Sequence, residues 1–125
     1  MKFCVFEQMQ LSHDSCLLHL VSPVYATSGS LAIINLRTKA IKYVSGVNLV
    51  YVIETGSHRD ELIYQRRMLR KSVAYPLIHA RPDGRFIAEI SNEDFPFEGR
   101  KDAPRLRQYL RKISGTITIN DKELP

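Results

Sequence analysis

The sequence predicts an α+β fold, a mainly antiparallel sheet of five to eight strands with two helices packed on one face. Three observations lead there. Short segments rich in β-branched and aromatic residues fill the first half, separated by hairpin-length connections. Two stretches, at about 58–71 and 104–113, carry apolar residues at helical spacing beside clustered arginines. Between them, Arg81-Pro82-Asp83-Gly84 has strong turn chemistry and joins two more strand-like runs.

Along the chain, Lys2 to Glu7 and Ser15 to Val21 read as strands joined through polar Ser12, His13 and Asp14. A three-stranded meander follows at about 31–54. It comprises Leu31 to Leu36, Ala40 to Val44 and Val47 to Ile53, with breaks at Arg37-Thr38-Lys39 and Ser45-Gly46. Val47 to Ile53 is apolar at both alternating sets of positions, which suits a strand covered on both sides near the middle of a sheet. After the Thr55-Gly56 breaker, Ser57 is a capping residue and Asp60 a first-turn acid. A helix from about His58 to Lys71 is expected to turn Leu62, Ile63 and Leu69 to the core, with Arg70 and Lys71 in its last turn. Val73 to Ala80 and Arg85 to Ile90 form a second hairpin. After an irregular stretch, a second helix from Pro104 to Ile113 buries Leu106, Leu110 and Ile113. Thr116 to Asn120 reads as a last strand.

The chain has 125 residues, 44% apolar and 25% charged, so a single domain over 1–125 is expected and disordered, collagen-like or coiled-coil compositions are excluded. No apolar run approaches the ~18 residues of a membrane span, and Met1-Lys2-Phe3-Cys4 does not open a signal peptide. The expectation is a cytoplasmic protein with no membrane association and with Cys4 and Cys16 as free thiols.

Eighteen Lys and Arg against thirteen Asp and Glu give a net charge of +5. The excess is concentrated in the two expected helices, and Met1 to Leu36 holds only Lys2 among cations. Guanidinium groups meet phosphate oxygens bidentately, so Arg66, Arg67 and Arg70 on the first helix and Arg105, Arg107, Arg111 and Lys112 on the second are the candidate anion-binding residues. On the second helix Arg107 and Arg111 stand one turn apart, away from the apolar stripe. The expected function is a non-enzymatic module that binds nucleic acid or another anionic partner such as an acidic protein. The alternative is a protein-interaction or assembly subunit that forms a homo-oligomer through its strand-rich first half.

No catalytic set, cofactor or metal site is expected. Cys4, His13, Cys16 and His19 are suitable zinc ligands, but on a strand Cys16 and His19 point to opposite faces. Pro82-Asp83 with Glu89-Ile90-Ser91 has the outline of a nuclease motif, with Ser91 where a lysine belongs and the two acids roughly 20 Å apart along an extended chain. His58-Arg59-Asp60 echoes a kinase catalytic loop without its companion motifs.

Two partial resemblances supply a third reading, a nucleotide-binding or nuclease-like domain. Arg66-Arg67-Met68-Leu69-Arg70 followed by Glu89-Ile90-Ser91 resembles the signature of PilZ domains, over some thirty residues. That resemblance implies cyclic diguanylate held by Arg66, Arg70 and Ser91. Glu89 replaces that family's Asp or Asn, and Asp94 its glycine. Ile33-Ile34-Asn35, Tyr43-Val44-Ser45 and Val47-Asn48-Leu49 look like a GIY-YIG nuclease hairpin. There Leu31 replaces the first tyrosine, Ser45 the second glycine, and a strand stands in for the arginine-bearing helix.

Overall fold

The computed structural model describes residues 8–25, 28–96 and 103–114. Among them are eight strands: β1 (Gln8–Leu11), β2 (Leu17–Tyr25), β3 (Ser28–Asn35), β4 (Ile41–Val52), β5 (Leu62–Arg66), β6 (Met68–Leu69), β7 (Val73–Ala80) and β8 (Phe86–Glu93). One helix, α1 (Ala103–Ser114), follows. The strands form a curled antiparallel sheet in the order β1-β2-β3-β4-β5-β7-β6, with β8 added to β7. The expected strands at 2–7 and 116–120, and Cys4, lie outside the described residues. No described helix is long and apolar enough to cross a membrane.

Side-chain alternation sorts the sheet into two apolar layers. Val21, Leu31, Ile33, Val44, Val50, Val52, Leu62, Tyr64, Ile78 and Ala80 meet on the concave side. Tyr51, Ile53, Ile63 and Leu77 face the other way and pack against Leu106 and Leu110 of α1, with Tyr109 and Ile113 alongside. The second expected helix is therefore present and buries the expected stripe.

The first is not. Residues 62–66 are β5, and the two expected helices reduce to one. Leu62 and Ile63 are neighbours, both fully buried, and they enter different apolar layers. Only a strand covered on both sides allows that; on a helix they would lie about 100° apart on one flank. Asp60 holds a left-handed φ of 70°, which stops a helix before it begins. Ile53 and Glu61 close the loop instead, through Ile53 N–H to Glu61 O at 2.9 Å and Asp60 N–H to Ile53 O at 2.7 Å. Leu69, expected in the core, is 84% exposed on the two-residue β6.

The three-stranded meander expected at about 31–54 reduces to two strands, β3 and β4, because its second and third segments are one continuous strand. Ser45-Gly46 is not a turn; β4 runs unbroken through it. Gly29 pairs with Val47 and Ser30 with Ser45, so Gly46 is an extra residue in the ladder, with φ 72°. A second register shift falls between Val47 and Leu49, opposite β5. Such bulges bend a strand and sharpen its twist, and β4 uses them to pass from pairing β3 to pairing β5. The β7–β8 hairpin is as expected, its turn closed by Gly84 N–H to Arg81 O at 2.8 Å. At Gly84, with φ 91°, a Cβ would fall 2.8 Å from Ile33 Cδ1. The turn therefore sits directly over the concave layer, and only glycine fits its tip.

Candidate functional site

Strands β4 to β8 and this turn frame a groove of about 510 Å³ on the concave side. Val44, Tyr64, Met68 and Ile78 line it, and Lys42, Arg66, Arg70 and Arg85 bring four cationic side chains to it. Phe86, 65% exposed, and Glu89 also line it. Register explains the convergence. Ile33 pairs with Lys42, so Lys42 belongs to the same face as the core residue Ile33. Arg66 follows Tyr64 and Leu62 at alternate positions of β5, and its Nε donates to Ser45 O at the β4 bulge, 3.0 Å away. Phe86 stands opposite Ala80 of the concave layer.

Two of the four cations are already paired. Arg70 bonds Glu89 at 2.6 Å, and that hydrogen bond raises the guanidinium above its ordinary range. Arg85 bonds Asp83 at 2.9 Å. Glu89 and Asp83, the acids of the nuclease-like outline, thus serve an ion pair and a turn. Of the expected anion-binding residues, Arg66 and Arg70 meet at this groove. Arg67 alternates away from Arg66 and is exposed, its N–H donating to Gly46 O. Arg105, Arg107, Arg111 and Lys112 belong to α1, which packs on the opposite face of the sheet. Arg105 pairs with Glu93, whose carboxyl it holds below the ordinary range. Arg66 and Arg70 therefore stand on one face of the sheet and the α1 cations on the other. Sequence reasoning missed Lys42 and Arg85, whose contribution depends on sheet register and on the turn folding back.

A second polar cluster lies on the α1 side. Glu61 Oε1 accepts from His58 Nδ1 at 2.6 Å and from His79 Nε2 at 2.7 Å, while His79 Nδ1 lies 2.8 Å from the Tyr109 hydroxyl. His79 is buried, and desolvation pushes its imidazole below the ordinary value against the pull of Glu61. His58 and Glu61 stand on the β4–β5 loop, His79 on β7 and Tyr109 on α1. No motif in the sequence joins them; the β5–β7 pairing does. Asp60, read as a helix-start acid, instead accepts the backbone N–H of His13 at 3.1 Å and pairs with its ring.

His19 is buried inside the concave layer and its Nε2 lies 2.7 Å from Pro82 O. A carbonyl only accepts, so Nε2 carries the proton and ties β2 to the far turn. Burial lowers the pKa of His19, outweighing Pro82 O and Asp60, which raise it. A histidine kept neutral by the fold is protonated first in the unfolded chain. Stability therefore falls as pH drops below about 6.5, the unperturbed value, and the loss ends below the folded pKa. Thermal melts from about pH 8 to about pH 5 are expected to show this decline, and His19→Gln to flatten it. An equal slope in the variant would contradict the assignment.

No family model matches this chain, and no curated protein or solved structure matches it either.

Proposed function

We propose that the protein is a non-enzymatic module that binds single-stranded nucleic acid in the concave groove. One observation carries the reading: an apolar-lined groove is flanked by Lys42, Arg66 and Arg85, the last in a solvent-exposed pair with Asp83 that a phosphate can displace, with the exposed ring of Phe86 beside them. Single-strand sites combine a cationic track for phosphates with an aromatic platform for a base. Arg66 is held in place by Ser45 O, so little side-chain freedom remains to be lost on binding. Anisotropy titration of a labelled mixed-sequence strand of about twelve nucleotides, compared with its duplex, tests this. Tighter binding of the single strand is expected, with log K falling against log salt at a slope of about −2, three phosphates at roughly 0.7 each. Absence of binding at about 50 mM salt, or binding indifferent to salt, would reject it.

A separate observation favours the second reading, self-association. On the outer face of β1 to β4, Leu11, Leu18, Ile34 and Ile41 form one cross-strand row and Met9, Leu20, Ala32 and Tyr43 the next. Met9, Leu11, Ile41 and Tyr43 are 64%, 48%, 51% and 69% exposed. A contiguous apolar surface of this kind marks an interaction face. Light scattering at micromolar concentration is expected to detect a dimer that Leu11→Lys with Ile41→Lys dissolves. A wild-type monomer throughout would remove this reading and leave the groove untouched.

A further inference from the structure

We propose that His58, Glu61 and His79 form a zinc site, with His58 Nδ1, a Glu61 carboxylate oxygen and His79 Nε2 as ligands and one coordination position left open. The three ligand atoms lie within 4.8 Å of one another. Tetrahedral zinc with bonds of about 2.0–2.1 Å needs its ligand atoms roughly 3.3–3.4 Å apart. The two hydrogen bonds to Glu61 Oε1, 2.6 and 2.7 Å long, need to open by less than about 1 Å to admit the ion.

The donor set is the one zinc takes when three protein ligands leave a fourth position to water, and two imidazoles select against magnesium and calcium. The scaffold is fixed on both sides. Glu61 N–H donates to His58 O at 3.1 Å, which holds the two loop ligands in register, and His79 is locked in β7. Access is available, because the His58 and Glu61 side chains are 29% and 17% exposed.

Protons balance without loss. Without metal, the His58 Nδ1 and His79 Nε2 protons both point to Glu61. On binding, each neutral ring moves its proton to the other nitrogen, and zinc takes the freed lone pairs. His79 Nδ1–H then donates to the Tyr109 oxygen, 2.8 Å away, so Tyr109 is a positioning residue that fixes ring orientation from behind. The ion would clip the β4–β5 loop to β7 on the face opposite the groove, and the inference does not depend on nucleic-acid binding.

The test is calorimetric titration of the full, metal-free chain with zinc chloride, repeated with cobalt(II) to read visible absorption. One ion per chain is expected, with a tetrahedral cobalt spectrum and a raised melting temperature. His58→Ala and Glu61→Gln are each expected to weaken binding at least about 100-fold, and Tyr109→Phe about 10-fold. Failure of the folded wild-type chain to take up zinc would overturn the proposal. So would unchanged uptake in His58→Ala and Glu61→Gln, which would put the ion on other residues. Long-range proton–nitrogen spectra of the wild-type imidazoles decide independently of how the variants fold. His58 Nδ1 and His79 Nε2 are expected to shift on zinc addition, and unmoved signals would refute coordination.

Discussion

Replacing Lys42 and Arg66 together with alanine is expected to weaken single-strand binding by about ten- to a hundredfold at low salt and to lower the salt slope by about 1.4. Each removed charge takes one phosphate contact with it. Arg66 contributes more than its charge, because the β4 bulge presents Ser45 O to its Nε and fixes its direction. The folded state is expected to change by less than about 0.5 kcal/mol, since neither side chain holds the core. Alanine at Arg107 and Arg111 provides the contrast. These residues ride on α1 across the sheet from the groove, and their loss is expected to leave binding within about twofold, as for distant, independent sites. If the helix pair rather than the groove pair controls affinity, the anion surface is α1.

Leu62→Ala is expected to cost about 2–5 kcal/mol, a large fraction of the ~5–15 kcal/mol by which domains are stable. Leu62 is fully buried between Val52 and Ala80 in the ladder, and the cavity left behind is walled by three strands that cannot all collapse. Leu69→Ala is expected to cost nothing measurable, because Leu69 lies on the surface. A helix over 58–71 would make both positions core residues, so denaturant melts of the two variants distinguish strand from helix. Comparable losses for both would contradict β5.

The misreading of 58–71 has a definite cause. Leu62-Ile63-Tyr64 is a short apolar run that fits a doubly covered strand or one flank of a helix equally well. The cap-like Ser57 and the basic end at Arg70 and Lys71 tipped the reading to helix, and the left-handed Asp60 is not visible in residue types. Ser45-Gly46 misled differently: a glycine between two strand-like runs signals either a turn or a bulge. Where local chemistry dominates, the sequence was legible. The Pro82-Asp83-Gly84 turn and the Leu106, Leu110, Ile113 stripe stand where expected. The groove was half legible, through Arg66 and Arg70, since Lys42 and Arg85 join them only after β3 pairs β4 and the turn folds over Ile33. The His58, Glu61 and His79 cluster was not legible, because His79 stands on β7, 18 residues beyond Glu61, and only the β5–β7 pairing brings it to the loop.

The nucleic acid is proposed to enter the groove and not to lie on the helix. Backbone amide spectra of the nitrogen-15-labelled wild-type chain, recorded while a short mixed-sequence single strand is added at low salt, test this placement most directly. Signals of Lys42, Arg66, Gly84, Arg85 and Phe86 are expected to move together and saturate, while those of Arg105, Arg107, Arg111 and Lys112 stay in place. Movement confined to α1, or no movement in either set, would contradict it.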